Sequence, residues 1–181
     1  MSPTPLQELL LQALETEEGT VSAYDAAIPH AMSPGMREQW RAARLQACTD
    51  RDLIAGLAAD LGVATRESTP GQRLVRAHCT GVVRNILVAG VEGKAVAEAC
   101  AAQALVDLLA RGCLNWDLLI ELTATAEAPG CAAIHARISA TLGEKRQQYE
   151  AASANFHEIW RRQVVTRVVS AGGTSANVAI A

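Results

Sequence analysis

Apolar residues recur every three to four positions over most of this chain, and the runs are too long and too seldom broken to be strands. Leu6, Leu10, Ala13 and Ile28 form the first such stripe, which predicts a helix over Pro5 to Ile28 with Pro5 suited to its first turn. The segment from Pro29 to Gly35 breaks it. A second helix is expected from Pro34 to Leu61, with Ser33 as N-cap and Gly62 as its stop. After a linker from Ala64 to Gly71, the pattern predicts a shorter helix over Gln72 to Ala89, a hinge at Gly90 to Gly93, and a helix from Glu92 to Arg111 closed by Gly112. Asn115 is placed to cap a short helix from Trp116 to Ala126, and Pro129 to open a last long one reaching Val169. The expected fold is all-α: one domain over residues 1–171, built as an up-down four-helix bundle, followed by a flexible tail over 172–181. Ala64 to Gly90 is long enough to be a crossover spanning the bundle and carrying an extra helix.

Each stripe has a polar residue near its middle. Counting roughly 100° per residue, the first helix turns Leu6, Leu10, Ala13, Glu17, Thr20, Tyr24 and Ile28 inward. The second turns in Trp40, Ala43, Ala47, Arg51, Ile54, Ala58 and Leu61, with Asp50 at the border. The third long helix presents Val91, Ala95, Glu98, Ala102, Val106 and Leu109. The last presents Ile134, Ile138, Thr141, Lys145, Gln148, Ala152, Phe156 and Ile159. Glu17 and Tyr24, seven residues apart, share one face two turns apart.

A carboxylate and a phenol pointing inward from the first of four long helices resemble the opening of the ferritin-like superfamily, in the neighbourhood of rubrerythrin-type and small bacterial ferritin-like domains. The pattern extends from Pro5 to about Arg162. The resemblance implies a bundle with a di-metal carboxylate site, in which Glu17 and Glu98 would be the two single-Glu ligands. Such a site also needs Glu-x-x-His on each of the other two helices, and this chain has none. The second helix reads Leu45-Gln46-Ala47-Cys48-Thr49-Asp50-Arg51 there, and the last keeps only Glu144-x-x-Gln147. His30 falls in a turn, His78 in the crossover, His135 at a face border and His157 outward.

Two inward carboxylates without a metal must be neutralised. The expected cluster is therefore Glu17 and Glu98 with Arg51 and Lys145, joined by Tyr24 and Gln148, filling the space where relatives hold ions and fixing helix register. Loss of Lys145 or Arg51 is then expected to cost on the order of 3–5 kcal/mol. This reading makes the chain a ferritin-like bundle without its di-iron centre, in a structural or partner-binding role, with no catalytic residue and no cofactor. The alternative is a divergent di-iron or di-manganese oxidoreductase, or an iron-handling protein, with metal held by Glu17, Asp50, Glu98 and Glu144.

Composition narrows the rest. Half of the 181 residues are hydrophobic but only 3% aromatic, so Ala, Leu, Val and Ile must build the core. A net charge of −3 gives no electrostatic case for nucleic acid or an anionic membrane surface. The apolar runs at Thr80 to Val91 and Val164 to Ala171 are short and interrupted by Arg84 and Arg167, so no membrane span is expected. Five cysteines with no C-x-x-C pair read as buried free thiols of a cytoplasmic protein; Cys79, beside His78, is the one candidate reactive thiol. Leu74, Val75, Val82, Val83, Ile86 and Leu87 form a stripe that suits either a homodimer surface or a cover for one end of the bundle.

Overall fold

The structure, a computed structural model, describes residues 4–63, 69–125 and 130–174, with side chains as far as residue 164. The described residues form five α-helices and no strand: α1 (Pro5–Ala27), α2 (Pro34–Asp60), α3 (Pro70–Glu92), α4 (Lys94–Thr125) and α5 (Cys131–Thr174). Three of the helix starts follow from local chemistry. Thr4 and Gln7 form a reciprocal capping box ahead of Pro5, and the Ser33 and Thr69 hydroxyls accept from the backbone N–H of Met36 and Gln72. Gly62 and Gly93, both at positive φ, follow the ends of α2 and α3.

Paired residues fix the helix directions. Asp25 meets Arg44 while Glu17 and Asp50 share Lys145; Thr16 meets Asn115 while Met32, just past α1, meets Glu98; and Cys113 meets Lys145 while Glu98 meets Arg162; so α1 and α2, α1 and α4, and α4 and α5 are each antiparallel. Glu15 meets Gln72 and Arg76, which sets α3 parallel to α1. The chain therefore runs up, down, up, down, up, with α3 returning it along the bundle. α1 is enclosed by α2, α3 and α4; α5 packs on α4, while α2 and α5 stand farther apart and are joined by long side chains, among them Arg137 with Asp60. Enclosure on three sides explains why most of α1 beyond Leu10 is buried, far beyond a single stripe.

Helix boundaries differ from expectation in two regions: α3 continues through Gly90 to Glu92, so only Gly93 of the expected hinge breaks the chain, and the second difference lies in α4. α4 runs without a break through Gly112 and Asn115, where a stop and a cap were expected. Both residues are buried in mid-helix: Asn115 donates to the Thr16 hydroxyl at 3.1 Å, and Gly112 faces the bundle interior. Their side chains serve neighbouring helices, a role indistinguishable from punctuation in the sequence. Val91, expected in the core, is 86% exposed because the chain changes direction at Gly93 and the face count does not carry across it. Pro129 lies outside the described residues, as do residues 175–181; α5 itself extends to Thr174.

α3 buries Gln72, Val75, Cys79 and Ile86 against α1 and α4. The α3 stripe, suited to either a dimer surface or a cover, is therefore split: Val75 and Ile86 are interior, whereas Leu74 and Leu87 face outward, as do Val88 and Val91 beyond it. By length and mean hydropathy alone, α3 is also the one described helix apolar enough to cross a membrane.

Candidate functional site

The buried hydrophobic residues form two clusters stacked along the bundle. One includes Val21, Tyr24, Trp40, Ala47, Leu105 and Leu108; the other includes Leu10, Ala13, Ile54, Trp116, Leu119 and Ile138. A polar layer lies at the junction. On α1 it falls at Glu17, between Ala13 and Val21; on α2 at Asp50, between Ala47 and Ile54; on α4 at Gly112, between Leu108 and Trp116; on α5 at Lys145.

Lys145 is 1% exposed and its Nζ donates to Glu17 Oε2 at 2.5 Å and to Asp50 Oδ2 at 3.1 Å. Glu17, 0% exposed, also accepts from the Trp116 indole N–H at 3.0 Å. Asp50 accepts from the side-chain amides of Gln148 at 3.0 Å and Gln46 at 3.3 Å. The ammonium lies 5.4 Å from the Trp116 ring centroid, within range of a cation–π attraction. Four helices thus meet through one buried cation.

The electrostatics follow from this geometry. Burial alone would lower the Lys145 pKa, but Glu17 and Asp50 together outweigh it and hold the ammonium above its ordinary value. Burial pushes Glu17 up, with Lys145 opposing and Asp50 assisting that rise. With all three ionised the layer carries one net negative charge, but burial rather than that charge is the main cause of the rise at Glu17. Burial, reinforced by Asp50 and Glu17, also raises Tyr24.

Gly112 makes room for the cation. A Cβ built there would lie 2.8 Å from Lys145 Cε, 3.3 Å from its Nζ and 3.4 Å from Glu17 Oε1. The end of a lysine is usually free to move aside, but this one is held by two carboxylates in a site closed to water. Gly112→Ala is therefore expected to destabilise the fold by roughly 1–3 kcal/mol through overpacking. Gly81→Ala, where an added Cβ meets nothing within 4 Å, is expected to stabilise it by roughly 0.5–1 kcal/mol, since alanine is the better helix former. Urea melts of the two variants check the opposite signs.

The structure brings together Glu17, Lys145 and Gln148 from the expected cluster, with Tyr24 beside them. Two expected members lie elsewhere. The Arg51 side chain is 36% exposed and pairs with its neighbour Asp52; the inward residue of that turn is Asp50, 3% exposed. The rest of the counted face holds, with Trp40, Ala47, Ile54 and Ala58 buried; at this one turn the border residue Asp50 enters, and a long basic chain at the edge reaches water easily. Glu98 is fully buried but sits fourteen residues before Gly112, about 21 Å away along α4. There it accepts from the Met32 backbone N–H at 2.9 Å and from Arg162, tying the α1–α2 turn to α4 and α5. Periodicity identifies a face but not a level, so it could not show that Glu98 and Glu17 occupy different layers. Asp50, Trp116 and Gly112 are the members that sequence reading placed otherwise. Asp50 stood at a face border, and Trp116 at the start of a separate short helix.

The donor set does not fit a di-metal centre. Among the described residues no group of three or more His, Cys, Asp or Glu side chains is placed to hold an ion. Of the four carboxylates in the metal alternative, Glu17 and Asp50 share an ammonium, Glu98 is satisfied in its own layer, and Glu144 is exposed, reached only by Gln46 at 3.5 Å. All five cysteines are free, and burial pushes the Cys79 thiol up to about 11, which keeps it protonated and unreactive at neutral pH. In comparisons with known proteins, no family model, no curated protein and no solved structure matches the chain.

Proposed function

We propose that this chain is a ferritin-like helical bundle in which a lysine ammonium has taken the place of the di-metal centre, serving as a cytoplasmic structural or partner-binding protein rather than an oxidoreductase. The observation that carries this reading is Lys145 Nζ between Glu17 and Asp50 in a layer closed to water. A divalent ion added there would meet a fixed positive charge and only two carboxylates already engaged. The helix order supports the ancestry: α3 runs the length of the bundle between the second and fourth helices, as a crossover would. Buried ion pairs are most securely credited with setting register, and this one joins four helices between two apolar clusters, where a slip of α5 along α4 would strand its charge.

Elemental analysis of the purified full chain after dialysis tests the proposal. The expected result is well under one iron or manganese per chain, unchanged by incubation with either metal. About two ions retained per chain would favour the oxidoreductase or iron-handling reading instead.

A further inference from the structure

A closed four-helix bundle has four seams, and the one between α2 and α5 is spanned by long side chains rather than by close backbone packing. It forms a groove of about 800 Å³, within the range of small-molecule sites. Tyr24, Gln46 and Gln148 line it, and the two glutamines both donate to Asp50. The groove therefore runs just outside the polar layer, separated from it by the two glutamines.

Two polar atoms there lack partners among the described residues. Tyr24 is 2% exposed, and its hydroxyl makes no hydrogen bond. Gln148 spends its amide N–H on Asp50, which leaves its buried Oε1 without a donor. A buried acceptor such as Gln148 Oε1 is nearly always satisfied, and the unpaired Tyr24 hydroxyl belongs to the lining of the same groove, so the two together point to a missing group. Gln148 Oε1 can only accept and the phenol can accept, so that group must donate. Charge selects further. The one charged side chain lining the groove is Glu144, the layer behind it carries a net charge of −1 when ionised, and no basic residue faces in. The walls at Ala43, Ala151 and Ala152 are small and apolar, suiting a short hydrocarbon.

We infer that the groove between α2 and α5 binds a small organic ammonium, whose N–H groups donate to Gln148 Oε1 and the Tyr24 hydroxyl while its short hydrocarbon lies along the alanine wall. This goes beyond the structural role proposed above and does not depend on it: metal content and amine binding are measured separately and fail separately.

Calorimetric titration of the full chain with n-butylammonium chloride tests the inference, against n-butanol (same shape, no charge) and tetramethylammonium chloride (charge, no N–H). Saturable binding of n-butylammonium, at least tenfold tighter than either control, is expected. Tyr24→Phe, which removes one oxygen and keeps the ring, should weaken n-butylammonium about tenfold and leave the urea midpoint of the free protein nearly unchanged. Equal affinity for the alcohol, tighter binding of tetramethylammonium, absence of saturable binding, or an unaltered affinity in Tyr24→Phe would each overturn the inference.

Discussion

Lys145→Met is expected to lower the stability of the fold by roughly 3–5 kcal/mol, measured as a fall in the urea midpoint at neutral pH with unchanged slope. Methionine follows the lysine side chain as far as its ε position and fills most of the same channel beside Gly112, so the loss reports charge more than volume. Without the ammonium, Glu17 and Asp50 remain buried in one layer with no cation, at 0% and 3% exposure. Each keeps some hydrogen bonds, Glu17 from Trp116 and Asp50 from the two glutamine amides. Those contacts cannot offset two like charges brought together out of water. The variant must take up a proton on at least one carboxylate to fold, so its deficit should shrink as pH falls from 7 towards 5. A variant as stable as the parent at neutral pH would show that the ammonium does not neutralise this layer. Arg51→Met, by contrast, is now expected to stay within about 0.5 kcal/mol of the parent, as an exposed pair with Asp52 contributes little.

The second large effect is expected at Gly19. There α1 meets α3 so closely that a Cβ on residue 19 would lie 2.5 Å from Cys79 Cβ. Unlike the end of a long side chain, a Cβ cannot swing away without moving its helix. Gly19→Ala should therefore force α1 and α3 apart and cost about 3 kcal/mol, the upper end for an overpacked core, overriding the gain that alanine usually brings to a helix. Separation would also disturb the neighbouring contacts of Glu15 with Gln72 and Arg76. The mechanism predicts coupling: Cys79→Gly in the Gly19→Ala background should recover part of the loss, whereas Cys79→Gly alone should destabilise. A double-mutant cycle by urea melts measures this directly, and additive losses would refute the proposed collision.

Repulsion and crowding at these two sites also explain which parts of the molecule could be read in advance. The inward stripe of α5, from Ile134 through Lys145 to Ile159, follows one face of one helix, and its central members Ile138, Lys145 and Ala152 are buried. A helix packed on one side obeys its own periodicity, so local pattern suffices. α1 obeys it less well, because three neighbours bury residues such as Glu15, Thr16 and Val21 outside the counted stripe. Glycine was the least legible residue. Gly62 and Gly93 mark helix ends, as expected of left-handed backbone, but Gly19 and Gly112 are interior positions whose missing side chains admit a cysteine and a lysine from other helices.

An all-α bundle, its helix starts at Pro5 and Pro34, and the inward placement of Glu17 and Lys145 are consequences of hydrophobic spacing and capping chemistry, which act within a few residues along the chain. The choice of Asp50 over Arg51, the separation of Glu98 from the Glu17 layer, the role of Gly112 and the groove between α2 and α5 were decided only when helices distant in sequence came into register. Periodicity sets which way a side chain points; packing alone sets how far along its neighbour it arrives, and a charge is matched or stranded by that axial distance.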